Sequence, residues 1–442
     1  MNKKRYGLFT TIAMIVGIVI GSGIYFRADD IFTYTNGNLG LGIIVLTLGA
    51  VCIVFGGLSF AEFSKDYIPE GGVVSFFEKF VSKRFAYGYA WFQLFIWMPT
   101  VSVVVSWAAA LYTFMLLGIE ASFFHQVVLA LGYNLTLIFV NYFSRYFGGL
   151  VQRLSTIIKL LPLFIIAIYG MFFSEPISIS NIFGENFIKE FSNYGWLTAL
   201  VPLAYSYDGW MIALNIAPEV VNPKKNMTRA LVLSPFFILL VYLLYIIGIS
   251  NLLGSSKILE LGDSAVFEAG KIILGNRGAN ILLSIIVISV LGVANGVCLG
   301  AIRLPQRFAS KGIIPSFGIK KSQVESEELE LRGSIIYAIL VTIWTVIHYF
   351  VMEYQIFNGR DISEISIVFS YISYILIYIK VFMKLKEEGK KLKLIIPIMA
   401  ILGSLMIFLG SLIASPKYVS LFIGICVVSI IIGYRYQGRE LE

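Results

Sequence analysis

The sequence predicts an all-α membrane protein with twelve transmembrane helices. Three observations carry that prediction. Of 442 residues, 58% are apolar or aromatic and 14% are charged, with mean hydropathy +0.84. Soluble domains run at about 45–50% and about 25%, so this chain has more apolar surface than a water-soluble core can hide. Apolar runs of about 20 residues recur along the chain, the length a helix needs to cross a bilayer and about twice that of a barrel strand. Basic residues gather in alternate loops, as they do on the cytoplasmic side of membrane proteins.

The first run, 7–33, follows Lys3, Lys4 and Arg5, which place the N-terminus inside. Its basic start and small Gly21-Ser22-Gly23 resemble a signal peptide. Apolar character continues through Ile31 and eleven more runs follow, so it reads as a retained helix. The next runs lie at 40–62, 85–116, 124–144, 151–173 and 195–218. Six more follow at 228–250, 279–303, 334–353, 363–385, 393–414 and 417–434. Threading them alternately puts 26 of the 34 Lys and Arg residues inside, seven outside, and Lys159 within a span. Both termini are then cytoplasmic, in the cell membrane. The net charge of +8 follows from this bias rather than from nucleic-acid binding. The basic cluster from Lys384 to Lys393 reads as an anchor beside anionic lipid, and the acidic run Glu325–Glu330 as solvated surface. Asn134-Leu135-Thr136 matches a glycosylation pattern but lies inside a span.

Cys52, Cys298 and Cys426 all sit in apolar runs, without metal spacing or a disulfide framework. His125 and His348 are far apart. No metal or cofactor is expected. An enzyme would need a nucleophile, base or metal set close together, and a channel would need rings of filter elements; neither pattern is present.

Two spans carry interruptions. Gly21-Ser22-Gly23 lies midway along the first, where the glycines serve either close helix packing or an unwound segment. Tyr205-Ser206-Tyr207-Asp208-Gly209-Trp210 lies in the middle of the sixth. An Asp at that depth marks a functional site unless a neighbouring helix hydroxyl satisfies it. Each interruption opens a five-span block, and an odd number of spans inverts the second block relative to the first. Interrupted helices at corresponding places in inverted halves point to a transporter site. Half-helix N-termini face an anion and carbonyl ends a cation, which fits the zwitterion of an α-amino acid.

On these residues the chain resembles an amino acid–polyamine–organocation permease. The likeness runs through Gly21-Ser22-Gly23-Ile24-Tyr25, Ile68-Pro69-Glu70-Gly71-Gly72, Tyr205–Trp210, Glu219–Lys225, Asn295-Gly296 and Arg303-Leu304. The aromatic-Ser-Tyr-Asp-Gly-Trp run resembles the L-type amino acid transporter branch and its bacterial relatives. The resemblance implies a LeuT-like fold of two inverted five-helix repeats, 6–174 and 194–385, with helices 1 and 6 broken and two extra helices at 391–434. It implies that the substrate carboxylate meets amides around Ser22, Gly23 and Ile24, with Gly21 and Ser206 also in the binding set. The ammonium would meet carbonyls near Val19, Tyr205 and Asp208, with Tyr205 as an aromatic gate.

Lys159 lies six residues beyond Arg153, about 9 Å along a helix. It either snorkels as an anchor or lodges as a fixed ammonium against unwound carbonyls of span 1. The resemblance favours the second, since the L-type branch has a lysine here in place of a bound sodium ion. Departures from the pattern include Ala28 and Thr228 where prolines are frequent, and a Pro69–Gly71 spacing one residue short. No extracellular cysteine is present to tether an ancillary glycoprotein subunit, so the chain reads as a bacterial member acting alone.

The expected function is sodium-independent exchange of small neutral L-amino acids such as alanine, serine and cysteine, by alternating access. The alternative is proton-coupled symport, with Asp208, Glu62 and Lys159 as the groups to test. Trp107 and Asn295 either line the pocket or pack elsewhere.

Overall fold

The structure is a computed structural model that describes residues 6–26, 28–67, 72–143, 158–174, 182–183, 187–211, 214, 220–319, 331–357 and 360–436; the side chains of Ser22, Phe26 and Ala28 lie outside that description. So do the Lys3–Arg5 anchor, the Ile68–Gly71 motif, Glu219 and the Glu325–Glu330 run. Among the described residues the regular structure is helical, apart from one parallel bridge between Tyr6 and Val220.

The first run is broken after α1 (Leu8–Val19); beyond the break the described helical residues are α2 (Ser22–Phe26) and α3 (Ala28–Tyr34), with residue 27 between them outside the description. The long helix α4 (Leu39–Ser64) starts at Asn38, whose side-chain oxygen accepts from the Leu41 amide at 3.0 Å. After α5 (Lys83–Leu117) and α6 (Phe123–Phe143) comes α7 (Leu160–Phe172). The second broken run supplies α8 (Leu200–Ser206). Then follow α9 (Pro223–Leu253), α10 (Ala265–Ala301), α11 (Leu331–Glu353), α12 (Glu364–Glu387), α13 (Ile395–Ala414) and α14 (Pro416–Arg435).

Nine described helices are long and apolar enough to cross a membrane. They correspond to all the expected runs except the first, fifth and sixth. The first and sixth are interrupted, and the fifth begins outside the described residues, leaving the shorter α7.

The short pieces sit inside a jacket of long helices. α1 lies against α9 and α10, α2 against α5, α8 and α10, and α8 against α4, α12 and α13. Small residues let these helices approach. A Cβ on Gly170 of α7 would fall 2.0 Å from the Gly248 carbonyl oxygen of α9, and Asn251 donates to the Gly170 carbonyl at 3.0 Å across the same crossing.

A π-helical turn, Gln93–Trp97, interrupts α5. The cause is in the sequence. Pro99 has no N–H to give the carbonyl four residues back. That carbonyl, of Phe95, instead accepts from the Trp344 indole of α11 at 2.6 Å.

Loop contacts sort to two ends. At one, the Val221 amide donates to Tyr6, Lys384 meets Asp66 at 2.5 Å, and Trp91 donates to the Ile313 carbonyl at 2.7 Å. At the other, Asn38 donates to Phe183 at 2.7 Å and Arg360 to the Tyr34 hydroxyl at 2.9 Å. Large apolar side chains such as Phe124, Leu240, Ile281, Ile339 and Leu421 face outward, as lipid rather than water as solvent requires.

Candidate functional site

α1 stops at Val19 because Ile20 leaves the helical region (φ −72°, ψ 119°). The Ile20 amide closes the last α1 bond, to the Val16 carbonyl at 2.8 Å. Gly21 bends the chain and α2 begins at Ser22. A helix leaves its last carbonyls and first amides without partners inside that helix, so the break gathers carbonyls on one side and amides on the other.

The second break follows Ser206. Tyr207, Asp208 and Gly209 form a turn, and Gly209 takes φ +98°, a conformation that favours glycine. The Tyr207 amide donates to Leu203 and the Asp208 amide to Tyr205, each at 3.0 Å. The Ser206 carbonyl accepts from the Tyr242 hydroxyl of α9 at 2.7 Å, while the Ser206 hydroxyl turns back to the Pro202 carbonyl at 3.0 Å.

The two breaks meet. A Cβ on Gly23 would stand 2.4 Å from the Ser206 Cα, one on Gly209 2.7 Å from Ile18 Cγ2, and one on Gly21 2.0 Å from a Val293 methyl. Only glycine permits these approaches without movement of a neighbour. Between the breaks lies a cavity of about 30 Å³. Ile18, Val19, Gly23, Tyr205, Asp208 and Gly209 form its break-side wall. Trp97, Met98, Val101 and Val105 of α5, with Val293 and Val297 of α10, form the opposite one. One wall offers backbone dipoles and a carboxyl group; the other offers apolar surface. The space is that of about two waters, so it is the character of the lining, not its present size, that matches a small molecule with charged groups at one end and an apolar remainder.

Lys159 is fully buried at the start of α7 and does not line the cavity. Its Nζ donates to the Gly17 carbonyl in the last turn of α1. Its backbone carbonyl accepts from the Tyr25 hydroxyl of α2 at 2.9 Å. Lys159 therefore touches both halves of the broken helix.

Of the residues singled out from the sequence, Val19, Gly23, Tyr205 and Asp208 line the cavity. Gly21 faces Val293, Ser206 backs Gly23, and Ile24 is buried nearby. Glu62 pairs with Lys65 at the end of α4 and does not line the cavity. Trp107 packs elsewhere, its indole donating to Gln126 at 2.9 Å. Asn295 accepts from Asn141 of α6 at 2.8 Å instead of lining the cavity. Asn134 is buried, with its amide near the Ser102 carbonyl at 3.3 Å. The cavity residues of α5 and α10 were not singled out. Their available signals were Pro99, which breaks a helical run, and the valine pairs 101/105 and 293/297, each one turn apart. Among the described residues no group of His, Cys, Asp and Glu is placed to hold a metal ion.

A family model described as amino acid permease matches residues 6–432. The chain is 24% identical over 445 residues to the serine/threonine exchanger SteT of Bacillus subtilis (strain 168), covering 99% of this chain and 98% of that protein. It is 26% identical over 447 residues to the b(0,+)-type amino acid transporter 1 of Mus musculus, covering 98% and 86%. Among solved structures, MhsT in complex with L-phenylalanine matches with a TM-score of 0.61 at 15% identity, over 90% of this chain and 97% of that one, which shows a shared LeuT-like fold.

Proposed function

The chain belongs to the amino acid permease family, and on that premise we propose that it exchanges small neutral L-amino acids across the cell membrane without sodium. A permease of this family is a multi-pass membrane transporter of amino acids, not an enzyme. The finer architecture in this reading is two inverted five-helix repeats, 6–174 and 194–385, with an added helix pair at 391–434 and both termini cytoplasmic. It works alone, without an ancillary glycoprotein subunit.

The convergence of the two breaks on one cavity supports the site. The substrate carboxylate is held by amides of Ser22, Gly23 and Ile24 at the start of α2, where a helix favours negative charge. The substrate ammonium is held by carbonyls at the ends of α1 and α8, near Val19, Tyr205 and Asp208. The side chain lies toward Trp97, Val101 and Val297. Tyr205 closes the site from the outside.

The single observation that carries the exchange reading is the Lys159 ammonium on the Gly17 carbonyl. A fixed cation at the end of α1 takes the place that a bound sodium ion would otherwise fill. Buried charge of this kind needs partners, and a permanent one removes any need for a co-transported ion. Reorientation is then favoured chiefly when the site is loaded, which is exchange. A relative described as a serine/threonine exchanger is consistent with that.

The test is uptake of radiolabelled L-alanine and L-serine into proteoliposomes, with and without unlabelled amino acid inside and with no ion gradient. Uptake is expected only when amino acid is inside, and unchanged when sodium is replaced by choline. Concentrative uptake into empty vesicles after a pH gradient is imposed, lost in Asp208→Asn, would replace exchange by proton symport.

A further inference from the structure

Lys159 is held from two directions, and the second hold is not accounted for by the fixed-cation role. The Tyr25 side chain is 2% exposed and its ring meets Tyr245 of α9 edge-on at 5.9 Å. Its hydroxyl lies in the first turn of α7, donating to the Lys159 carbonyl at 2.9 Å. Gly17, which accepts from the Lys159 ammonium, belongs to α1; Tyr25 belongs to α2. The break at Ile20 and Gly21 separates them in the chain. One residue of α7 therefore bridges the break, by its side chain to the carbonyl end and by its backbone to the amide half.

Resting on the exchange reading above, we infer that Tyr25 is a positioning residue: its hydroxyl fixes the peptide that carries Lys159, and so keeps the ammonium on the α1 carbonyls while tying α2 to α7. A lysine side chain has four rotatable bonds and reaches its partner only if its backbone is anchored. Lys159 sits in a turn at the very start of α7. The Tyr25 hydroxyl supplies the anchor at that position. It also makes movement of the substrate-binding half of the broken helix depend on the same residue that neutralises the other half. Tyr25 itself does not line the cavity, so its effect runs through Lys159 rather than through substrate contact.

The experiment is a double-mutant cycle in proteoliposomes, reading exchange of labelled L-alanine in Tyr25→Phe, Lys159→Ala and the double variant. Phenylalanine keeps the ring and its contact with Tyr245. Removing one buried hydrogen bond is expected to lower the exchange rate roughly three- to tenfold, with KM changed less than twofold, because the substrate's own partners remain. In the Lys159→Ala background the same substitution is expected to change the rate by less than twofold, since the positioned ammonium is already gone. A merely structural tyrosine would slow both backgrounds equally. Equal slowing in both, or wild-type exchange in Tyr25→Phe while Lys159→Ala is impaired, would overturn the positioning role and leave the exchange reading standing. Normal exchange in Lys159→Ala would instead remove the fixed-cation reading and this inference with it. Melting temperatures of the detergent-purified variants show whether each remains folded; if Tyr25→Phe does not, Tyr25→Trp, which keeps a bulky ring and cannot reproduce the phenol hydroxyl's position, takes its place in the cycle.

Discussion

Gly23 and Gly21 both carry small side-chain-free positions into crowded surroundings, and the atoms they meet decide what a methyl group would do. On Gly23 it would stand 2.4 Å from the Ser206 Cα, a backbone atom that moves only if α8 moves. On Gly21 it would meet a methyl of Val293, the end of a side chain. Gly23→Ala is therefore expected to push the two breaks apart and cut amino acid exchange more than tenfold, whereas Gly21→Ala, relieved by a Val293 rotamer change, is expected to lose less. Exchange rates normalised to reconstituted protein test the order; equal losses would mean that the Gly23–Ser206 approach does not shape the site. Lys159 poses the other residue-scale question. Lys159→Ala leaves the Gly17 carbonyl without its buried ammonium donor, and an unpaired buried group costs about 1–3 kcal/mol. Exchange is expected to fall at least tenfold, and unimpaired exchange would rule out a fixed cation.

At the scale of single elements, α5 shows how one residue type reshapes a helix. Pro99 frees the Phe95 carbonyl, the turn widens, and Trp344 of α11 fills the vacancy at 2.6 Å. One turn on, the Tyr337 hydroxyl of α11 meets the Ser102 hydroxyl at 2.7 Å and the Met98 carbonyl at 3.3 Å. The widened turn carries Trp97 and Met98 into the cavity wall. Trp344→Phe keeps an aromatic ring but withdraws the N–H. It is expected to destabilise the protein by about 1–3 kcal/mol, seen as a lower melting temperature in detergent. An unchanged melting temperature would show that the Phe95 carbonyl finds another donor. The interrupted first and sixth runs obey the same logic: the backbone leaves helical geometry at Ile20 in one and at Gly209 in the other, and carbonyls beside the breaks are met from neighbouring elements, by Lys159 in one case and Tyr242 in the other.

For the molecule as a whole, the ends of α4 and α12 are tied at one face by Lys384, which meets Asp66 at 2.5 Å. The Lys384 ammonium donates to Asp66 and holds its carboxyl below the ordinary carboxylate range. A carboxyl group lowered on folding adds stability above its unfolded pKa and loses it as pH falls through the lower folded value. The unfolded value is about 3.9, so this pair is fully formed throughout pH 5–8. Asp66 is 64% exposed, and exposed pairs contribute about 0–1 kcal/mol. Asp66→Asn is therefore expected to leave the shape of the exchange-versus-pH profile between pH 5 and 8 unchanged. A profile that flattens in this variant would make Asp66 the titrating group and reopen proton coupling at the membrane face.

Much of this was legible before any coordinates. Composition and run length are one-dimensional quantities, and lipid as solvent leaves the backbone little choice but helix. The mid-span Asp208 stood out because an ionisable group is costly in a bilayer unless something answers it, whereas Gly-Ser-Gly fitted close packing as well as a break. The roles of Glu62, Trp107 and Asn295 were not legible, because a polar side chain on a long helix faces inward or sideways according to neighbours that the sequence does not order.

By itself the sequence determined that the chain is a helical membrane protein, marked the two spans in which a break could occur, and placed a lone lysine inside a third. Those are consequences of local chemistry: apolar length, glycine, and charge where charge is expensive. Only the tertiary structure decided that the two breaks face each other across one cavity, that valines of α5 and α10 close it, and that Lys159 reaches Gly17 while Tyr25 reaches Lys159. These placements bring together residues up to 279 positions apart, from Ile18 to Val297. They depend on how helices pack, and packing is set by the shapes of many side chains at once.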